Sequence, residues 1–238
     1  IEAWFSTNFI ETRHAKTKVD YFNETPLLIF RSTPDSSWSL MFKDVFDRSI
    51  ATLSIIILSP LFIILTLVIK ISSPGPVFFR QQRSGLFGHP FVMYKFRSMV
   101  TDAEQRKSEL EVVNEMSGPV FKVTNDPRIT PIGHWLRRTS LDELPQLFNV
   151  VKGEMSLVGP RPLPVYETKA ISENAQRRRL SVKPGITCLW QISGRNSVAD
   201  FKEWVRLDLE YIDNWSTFLD FKILLLTIPV VLFGNGAK

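Results

Sequence analysis

The sequence predicts an α+β fold that is mainly helical and associated with a membrane. Three observations lead to this prediction. A single long apolar run lies inside an otherwise charged chain, shorter apolar stretches with helical spacing follow it, and Gly- and Pro-rich turns separate those stretches. At 238 residues, the chain suits one domain with or without an additional segment.

The first 38 residues are typical of a linker. They form a mixed polar stretch that does not begin with Met and contains no cleavable signal peptide. We interpret residues 1–38 as the tail of a missing N-terminal region, and residues 39–238 as the functional domain.

The long apolar run, SIATLSIIILSPLFIILTLVI, covers residues 49–69. About 20 helical residues cross the ~30 Å hydrocarbon core of a bilayer, so this run is long enough for a membrane helix. Ser59 and Pro60 lie at its centre. The proline removes a backbone donor and disfavours a regular helix, whereas the serine hydroxyl can bond a carbonyl that the proline leaves free.

Both flanks of the apolar run are basic, with Lys43 and Arg48 before it and Lys70, Arg80 and Arg83 after it. A spanning helix usually has its basic flank on one side only. Two basic flanks therefore favour a re-entrant helix that breaks at the Ser-Pro pair and returns to the same membrane face. A kinked spanning helix is the alternative.

The apolar segment at residues 223–233, ILLLTIPVVLF, is too short to span a membrane. It fits an interfacial amphipathic helix or, nearly as well, a core helix of a soluble domain.

Charge and cysteine content restrict the classes of function. The net charge of +5 and pI of about 9.4 favour nucleic acid, phospholipid head groups or phosphorylated substrates as partners. Nucleic acid is disfavoured because Pro-Gly turns interrupt the basic residues and no recognised module appears. Cys188 is the only cysteine, and His14, His89 and His134 lack ligand spacing, so the chain predicts neither a disulfide nor a zinc site.

Asp142 and Glu143 are the candidate catalytic carboxylates. Ser140 and Glu143 have the spacing of a helix capping box, and Pro145 suits a first helical turn. One interpretation is therefore a plain helix start. The other is a phosphoryl-transfer site, because a helix N-terminus keeps a carboxylate ionised and its amides can hold a phosphate.

Basic residues near these carboxylates supply the other parts of such a site. Each alone is typical of a surface charge, but together they can neutralise a diphosphate beside a carboxylate pair that binds Mg²⁺. The candidates are Lys95, Arg97, Arg137, Arg138, Arg161 and Arg195.

Five motifs in order give the chain a specific resemblance: SPGP, KFRSM, RRTSLDELPQLFNVVKGEMSLVGPRP, KPGITCLWQISGRN and DLEYIDNWS. From about Ser39 to Lys238 the chain resembles the bacterial polyprenyl-phosphate hexose-1-phosphate transferases. These monotopic phosphoglycosyl transferases act in O-antigen, capsule, exopolysaccharide and glycoprotein glycan synthesis. Similar members often carry an N-terminal extension with transmembrane helices. Cys188 stands where the family pattern has Gly.

The resemblance implies an enzyme that transfers a sugar 1-phosphate from a UDP-sugar to undecaprenyl (polyprenyl) phosphate and releases UMP. The expected donor is UDP-glucose or UDP-galactose, and an N-acetylhexosamine or bacillosamine-type donor is the alternative. The expected cofactor is Mg²⁺, with Mn²⁺ as a substitute. The expected location is the cytoplasmic face of the bacterial inner membrane, in contact with lipid, and a homo-oligomer is left open.

The resemblance also implies roles for particular residues. Asp142 matches the nucleophile that forms a covalent aspartyl-phosphosugar intermediate, and Glu143 matches its partner, which assists the metal or the acceptor. Arg161 matches a phosphate-binding arginine, and Asp208 of DLEYIDNWS is expected near the donor site. Ser59-Pro60 matches the break in the re-entrant helix.

A rival hypothesis is a catalytically idle scaffold that binds anionic lipid through its basic face. In such a scaffold Asp142 is only a helix cap, replaceable by Ser or Asn without loss of function.

Overall fold

A computed structural model describes residues 16–22, 25–31, 37–121, 123–193 and 200–232. The helices and strands of these residues are, in chain order, β1 (Lys16–Phe22), β2 (Thr25–Arg31), α1 (Ser37–Ser72), β3 (Phe78–Ser84), β4 (Pro90–Phe96), α2 (Pro131–Arg138), α3 (Gln146–Lys152), β5 (Ser156–Val158), α4 (Val165–Lys169), α5 (Asn174–Arg177), β6 (Gly185–Thr187), α6 (Leu189–Ile192), α7 (Phe201–Asp213) and α8 (Thr217–Leu232). The described chain is mostly helical with a minority of strand, which confirms the predicted balance.

Helix α1 contains the whole predicted membrane segment and extends beyond it, mainly at its N-terminal end. Among the described residues, one helix is long and apolar enough to cross a membrane, and it covers residues Trp38–Ser72. The helix continues through Pro60. Ser59 Oγ donates a hydrogen bond to Ile56 O at 2.8 Å, and this carbonyl lies four residues before the proline that cannot donate to it. The predicted use of the serine hydroxyl is therefore confirmed, whereas the return to one membrane face stays a prediction.

The N-terminal part of α1 is fixed by a buried polar group that we call the anchoring cluster: Lys43, Asp47, Ser156, Tyr211 and Asp220. Lys43 Nζ lies 2.6 Å from Asp220 Oδ2 and 3.4 Å from Asp47 Oδ2. Ser156 Oγ donates to Asp47 Oδ2 at 2.5 Å, and Tyr211 OH donates to Asp220 Oδ1 at 2.8 Å. These contacts join α1 to β5, α7 and α8.

Apolar contacts hold both halves of α1 against the same body. In the first half, fully buried Ala51 belongs to the main core, together with Val150 and Ile223. In the second half, Leu65 and Ile69 are buried against a separate apolar group that contains Phe96 and Leu136 from β4 and α2. The remaining faces of the helix expose apolar side chains, which include Ile56 (64%), Ile63 (62%) and Leu67 (56%).

Strands β3 and β4 form an antiparallel hairpin whose register pairs Phe79 with Lys95 and Arg83 with Phe91. The turn contains Gly85 and Gly88, and Gly88 has φ +79°, a conformation that favours glycine. The register places the side chains of Phe79, Arg83 and Lys95 on one face of the hairpin.

The first two strands and the last helix lie in the segments where we predicted a linker and a C-terminal apolar helix. Strands β1 and β2 pair antiparallel within the segment that we predicted as a linker, and the boundary between that segment and the domain stays a prediction. Helix α8 buries Ile223 completely but leaves Leu225 66% and Ile228 54% exposed. One face of α8 therefore belongs to the core while another presents apolar surface. Phe233, the last residue of the predicted C-terminal helix, lies outside the described residues.

Candidate active site

The two candidate carboxylates lie in a short 3₁₀ helix, Leu141–Glu143, between α2 and α3. The predicted capping box is wrong. Ser140 has φ +56°, in the left-handed region, and its side chain caps no helix. Helix α3 begins only at Gln146, because Pro145 lacks the N–H that a longer helix would use. The side chain of Glu143 is consequently not held in a reciprocal cap.

Glu143 instead bridges two cations that come from distant parts of the chain. Its Oε1 lies 2.7 Å from Lys95 Nζ on β4 and 3.0 Å from Arg161 Nη2 in the loop after β5. The side chain of Glu143 is 11% exposed, so the bridge is largely shielded from solvent. A charge-assisted pair of this kind is stronger than one on an open surface.

Asp142 is 6% exposed and belongs to the same group of charges. Burial raises the pKa of the Asp142 carboxyl above its usual value, and the neighbouring Glu143 adds to this effect, while Lys95, Arg137 and Arg161 oppose it. Burial likewise lowers the pKa of Lys95, against the effect of Glu143. We call these five residues the cavity cluster.

The other predicted arginines lie in different positions. Arg137 Nε donates to Ser98 Oγ at 3.0 Å, and Arg137 is part of the cavity wall. Arg97 also reaches that wall, but its Nη2 donates to Ser73 O at 2.8 Å and so ties β4 to the segment after α1. Arg138 is exposed and is not among the lining residues.

Asp208 lies behind the cavity wall, and the prediction for Arg195 stays a prediction. Asp208 is 1% exposed on α7 and does not line the cavity; its carboxylate lies 2.7 Å from Arg179 Nη2. Burial raises the pKa of Asp208 to about 6, although Arg179 opposes the shift. Arg195 lies outside the described residues.

The cavity cluster lines a cavity of about 970 Å³. This volume is at the upper end of the range for small-molecule sites. Its wall combines the charged groups with aromatic side chains, among them Phe121, Tyr166, Trp190 and Trp204. The arrangement suits a ligand with both a strongly anionic part and a part that is neutral or ring-shaped.

Sequence reasoning missed Arg83 as a site residue. Arg83 lines the cavity and its Nη1 donates to Pro162 O at 2.9 Å. Burial, with Arg161 nearby, lowers the pKa of Arg83 to about 10. The period-2 pattern of two paired strands was the available signal, since Arg83 and Lys95 share a face of the β3–β4 hairpin.

Arg179 and Trp204 were also missed. Arg179 is 3% exposed and Trp204 is 4% exposed. Arg179 is one of three consecutive arginines, and Trp204 lies in a helix of ordinary amphipathic spacing. Neither pattern indicates a contact with Arg161. Their contacts are set by the tertiary fold.

Asp142 and Glu143 fit a divalent cation as two of its oxygen donors, since hard carboxylate oxygens are what Mg²⁺ prefers. Within the described ranges, no group of three or more His, Cys, Asp or Glu side chains could hold a metal ion. A cation held by these carboxylates would therefore take its other oxygens from water or a bound phosphate, which is a common mode for Mg²⁺.

Comparison with known proteins places the chain among sugar transferases. A family model described as "Bacterial sugar transferase" matches residues 38–234. The galactosyl transferase CpsE of Streptococcus agalactiae serotype III is 58% identical over 69% of this chain and 36% of its own length. The UDP-glucose:undecaprenyl-phosphate glucose-1-phosphate transferase of Escherichia coli K12 is 40% identical over 94% of this chain and 46% of its own length. The exopolysaccharide production protein ExoY of Rhizobium meliloti is 40% identical over 83% of this chain and 88% of its own length.

The chain thus spans less than half the length of two of these relatives, and most of the length of the third.

Proposed function

The chain belongs to the bacterial sugar transferase family, and from this we propose that it transfers a sugar 1-phosphate from a UDP-sugar to a polyprenyl phosphate and releases UMP. The observation that carries the proposal is the position of Asp142. A buried carboxylate lies at the wall of a large cavity, and three cations of the cavity cluster lie within electrostatic reach of it.

The proposed reaction has two steps at one phosphorus atom. In the first, a carboxylate oxygen of Asp142 attacks the phosphorus that bears the sugar. The new bond is an acyl phosphate, the bond to the UMP oxygen breaks, and its electron pair leaves with UMP. In the second, a phosphate oxygen of the lipid attacks the same phosphorus, and the electron pair of the aspartyl bond restores the Asp142 carboxylate.

The cations of the cavity cluster serve both steps. Arg161 can present two parallel donors to a phosphate, and Lys95 provides a compact charge on the other side of Glu143. An incoming diphosphate competes with Glu143 for these cations. We expect Lys95 and Arg161 to turn from the carboxylate towards the phosphates when the donor binds.

Mg²⁺ or Mn²⁺, held by Asp142 and Glu143, would neutralise charge on the diphosphate when bound. Excess chelator should then abolish turnover and added Mg²⁺ should restore it, as measured by UMP release. Full activity in chelator would exclude this part of the proposal.

The names of relatives support glucose or galactose as the sugar. The E. coli relative is named for glucose 1-phosphate transfer, and a Salmonella typhimurium relative, 41% identical, is named an undecaprenyl-phosphate galactose phosphotransferase. UDP-glucose and UDP-galactose are the first donors to test. UDP-N-acetylhexosamines and a bacillosamine-type donor are the comparison, since one or two contacts can decide between a hydroxyl and an acetamido group.

A re-entrant α1 on the cytoplasmic face of the inner membrane fits the contacts of this helix. Both halves pack on the body that contains the cavity, through Ala51 in the first and Ile69 in the second. Cysteines placed at Arg48 and Lys70 should both react with an impermeant reagent only from the cytoplasmic side. Reaction of either one from the periplasm contradicts this topology. Pro60→Ala should shift the helix towards a spanning form.

Donor alone provides the decisive test of the function. The purified chain in lipid, mixed with UDP-glucose or UDP-galactose, should release UMP in a burst equal to the amount of enzyme. Its intact mass should rise by one hexose phosphate, and undecaprenyl phosphate should remove that adduct. Release of UMP only when the lipid is present would indicate direct transfer. No release with any donor in the panel would favour the idle scaffold.

A further inference from the structure

The backbone around Arg161 is held through its carbonyl groups. Residues 160–162 read Pro-Arg-Pro, so two of the three positions have no N–H to donate. Each of the three carbonyl oxygens accepts a hydrogen bond from a distant donor: Gly185 N to Pro160 at 3.0 Å, Arg179 Nη2 to Arg161 at 2.8 Å, and Arg83 Nη1 to Pro162 at 2.9 Å. The position of Arg161 therefore depends on groups elsewhere in the chain.

The middle donor belongs to a buried ion pair. Arg179 Nη2, which donates to Arg161 O, also lies 2.7 Å from Asp208 Oδ2. The side chains of Arg179 and Asp208 are 2% and 1% exposed. Neither residue lines the cavity.

A second connection runs through aromatic rings. The Arg161 guanidinium lies over the ring of Trp190, with 5.9 Å to its centroid, and Trp190 stacks on Trp204 at 4.5 Å and 11°. The Arg179 guanidinium lies over Trp204 at 5.6 Å. Arg179 therefore contacts Arg161 directly at its carbonyl and through two stacked indoles at its side chain.

A buried ion pair of this kind is weak evidence for stability, because desolvation offsets most of the attraction between the charges. The geometry of the Arg179–Asp208 pair suggests a role other than stability. The same nitrogen of Arg179 contacts the Asp208 carboxylate as an ion pair and donates a hydrogen bond to the Arg161 carbonyl, so we expect the charge of Asp208 to set the position of the donor to Arg161.

We propose that Arg179 and Asp208 are positioning residues that hold Arg161 in place for the phosphoryl group of the donor. This inference rests on the proposed function, in which Arg161 braces that group. It gives Asp208 an indirect role in place of the donor contact that the resemblance implied. A displacement of about 1 Å at such a group is enough to slow a reaction by one or two orders of magnitude.

The test measures the rate of the UMP burst with donor alone, per enzyme molecule that forms the adduct. Asp208→Asn should slow this rate about 10-fold or more when Arg161 is present. In an Arg161→Ala background, Asp208→Asn should have little further effect, because residues that act through one group are not additive. Arg179→Lys keeps a cation beside Asp208 but loses the planar fork, and it should resemble Asp208→Asn.

The neighbouring pair of Arg178 and Asp213 provides the matched control. Asp213→Asn should leave the burst rate unchanged. Counting only adduct-forming molecules separates positioning from misfolding, since a merely structural role lowers the amplitude of the burst and not its rate. Equal slowing by Asp208→Asn with and without Arg161, or an unchanged rate in both Asp208→Asn and Arg179→Lys, overturns the inference. A wild-type chain with no burst overturns the proposed function itself.

Discussion

The anchoring cluster and the cavity cluster both bury charged residues, but they differ in what those charges face. In the anchoring cluster, Lys43 lies against Asp47 and Asp220, and hydroxyl donors from Ser156 and Tyr211 satisfy the carboxylates from the other side. In the cavity cluster, two adjacent carboxylates share a wall with three cations and face a space of about 970 Å³.

This difference distinguishes charges with a structural role from charges that can bind a ligand. Charges with a full set of partners fix the relative position of helices, and a ligand would have nothing to add to them. Charges at a cavity wall have partners that a ligand can replace. Burial raises the pKa of Asp142 in the cavity cluster and of Asp47 in the anchoring cluster alike, so the contrast rests on the cavity that Asp142 faces and not on the pKa shift.

The largest effect should come from the carboxylate that the proposal makes the nucleophile. Asp142→Asn keeps the size of the side chain but cannot form the acyl phosphate, so turnover should fall by at least about 10³-fold and the adduct should disappear. Intact mass spectrometry and UMP release measure both effects. A normal rate in Asp142→Asn would mean that Asp142 is not the nucleophile and that the cavity cluster, like the anchoring cluster, has a structural role.

A smaller loss is expected at Arg161. Arg161→Ala should lower kcat by about 10²-fold, because a preorganised donor to the developing charge is lost. Arg161→Lys should recover little of this, since an ammonium cannot reproduce the bidentate guanidinium. Steady-state kinetics with saturating lipid distinguish these outcomes. An effect on KM alone would mean that Arg161 binds the donor without assisting the reaction.

The pH dependence of turnover should report the ionisation of Asp142 in the cavity cluster. The nucleophile must be ionised, and the pKa of Asp142 is raised, so the rate should fall about tenfold per pH unit on the acid side, beginning above the pH at which a free aspartate titrates. Glu143→Gln removes a negative neighbour that raises this pKa, and it should move the acid limb to lower pH. An acid limb that does not move would mean that another group titrates.

Substitutions in the anchoring cluster should lower stability and leave the reaction rate unchanged. Asp220→Ala leaves Lys43 and Tyr211 without a main partner, and it should lower the free energy of unfolding by about 3–5 kcal/mol. The burst rate per adduct-forming molecule should stay unchanged. Glu203→Ala, at a carboxylate that is 45% exposed and whose partner Arg206 is 58% exposed, should cost less than about 1 kcal/mol. Urea unfolding in detergent micelles compares the two variants.

The sequence predicted best the features that depend on neighbouring residues. Short apolar stretches with helical spacing indicated helices after the long run, and α2 is one of them, although its capping residue, Thr130, whose hydroxyl accepts a hydrogen bond from Gly133 N, was not predicted. The apolar run gave the centre of α1, but not its first turns, where charged residues alternate with apolar ones. The capping box at Ser140 was wrong, because Ser140 adopts a left-handed conformation and Glu143 contacts Lys95 and Arg161 instead.

The assembly of the site could not be read from local pattern. Lys95 and Glu143 are 48 residues apart and meet only because the β3–β4 hairpin packs beside the 3₁₀ helix. The sequence analysis proposed Lys95 only as one of six basic residues for a diphosphate and did not predict its pairing with Glu143. Arg83 was interpreted only as part of the basic flank of the apolar run and Arg179 was given no role, because nothing near them in sequence indicates that their partners are the carbonyls of Pro162 and Arg161.

Cys188 has a practical consequence for experiments on the membrane helix. It is 1% exposed, its Sγ donates to Gln191 Oε1 at 3.3 Å, and burial raises the pKa of its thiol to about 12. The thiolate is the form that attacks labelling reagents, so a buried thiol with a raised pKa should not react with them at neutral pH. Because this chain has no other cysteine, its native sequence can serve as the blank in accessibility labelling. Single reporter cysteines can then be introduced along α1 without first replacing this buried native residue.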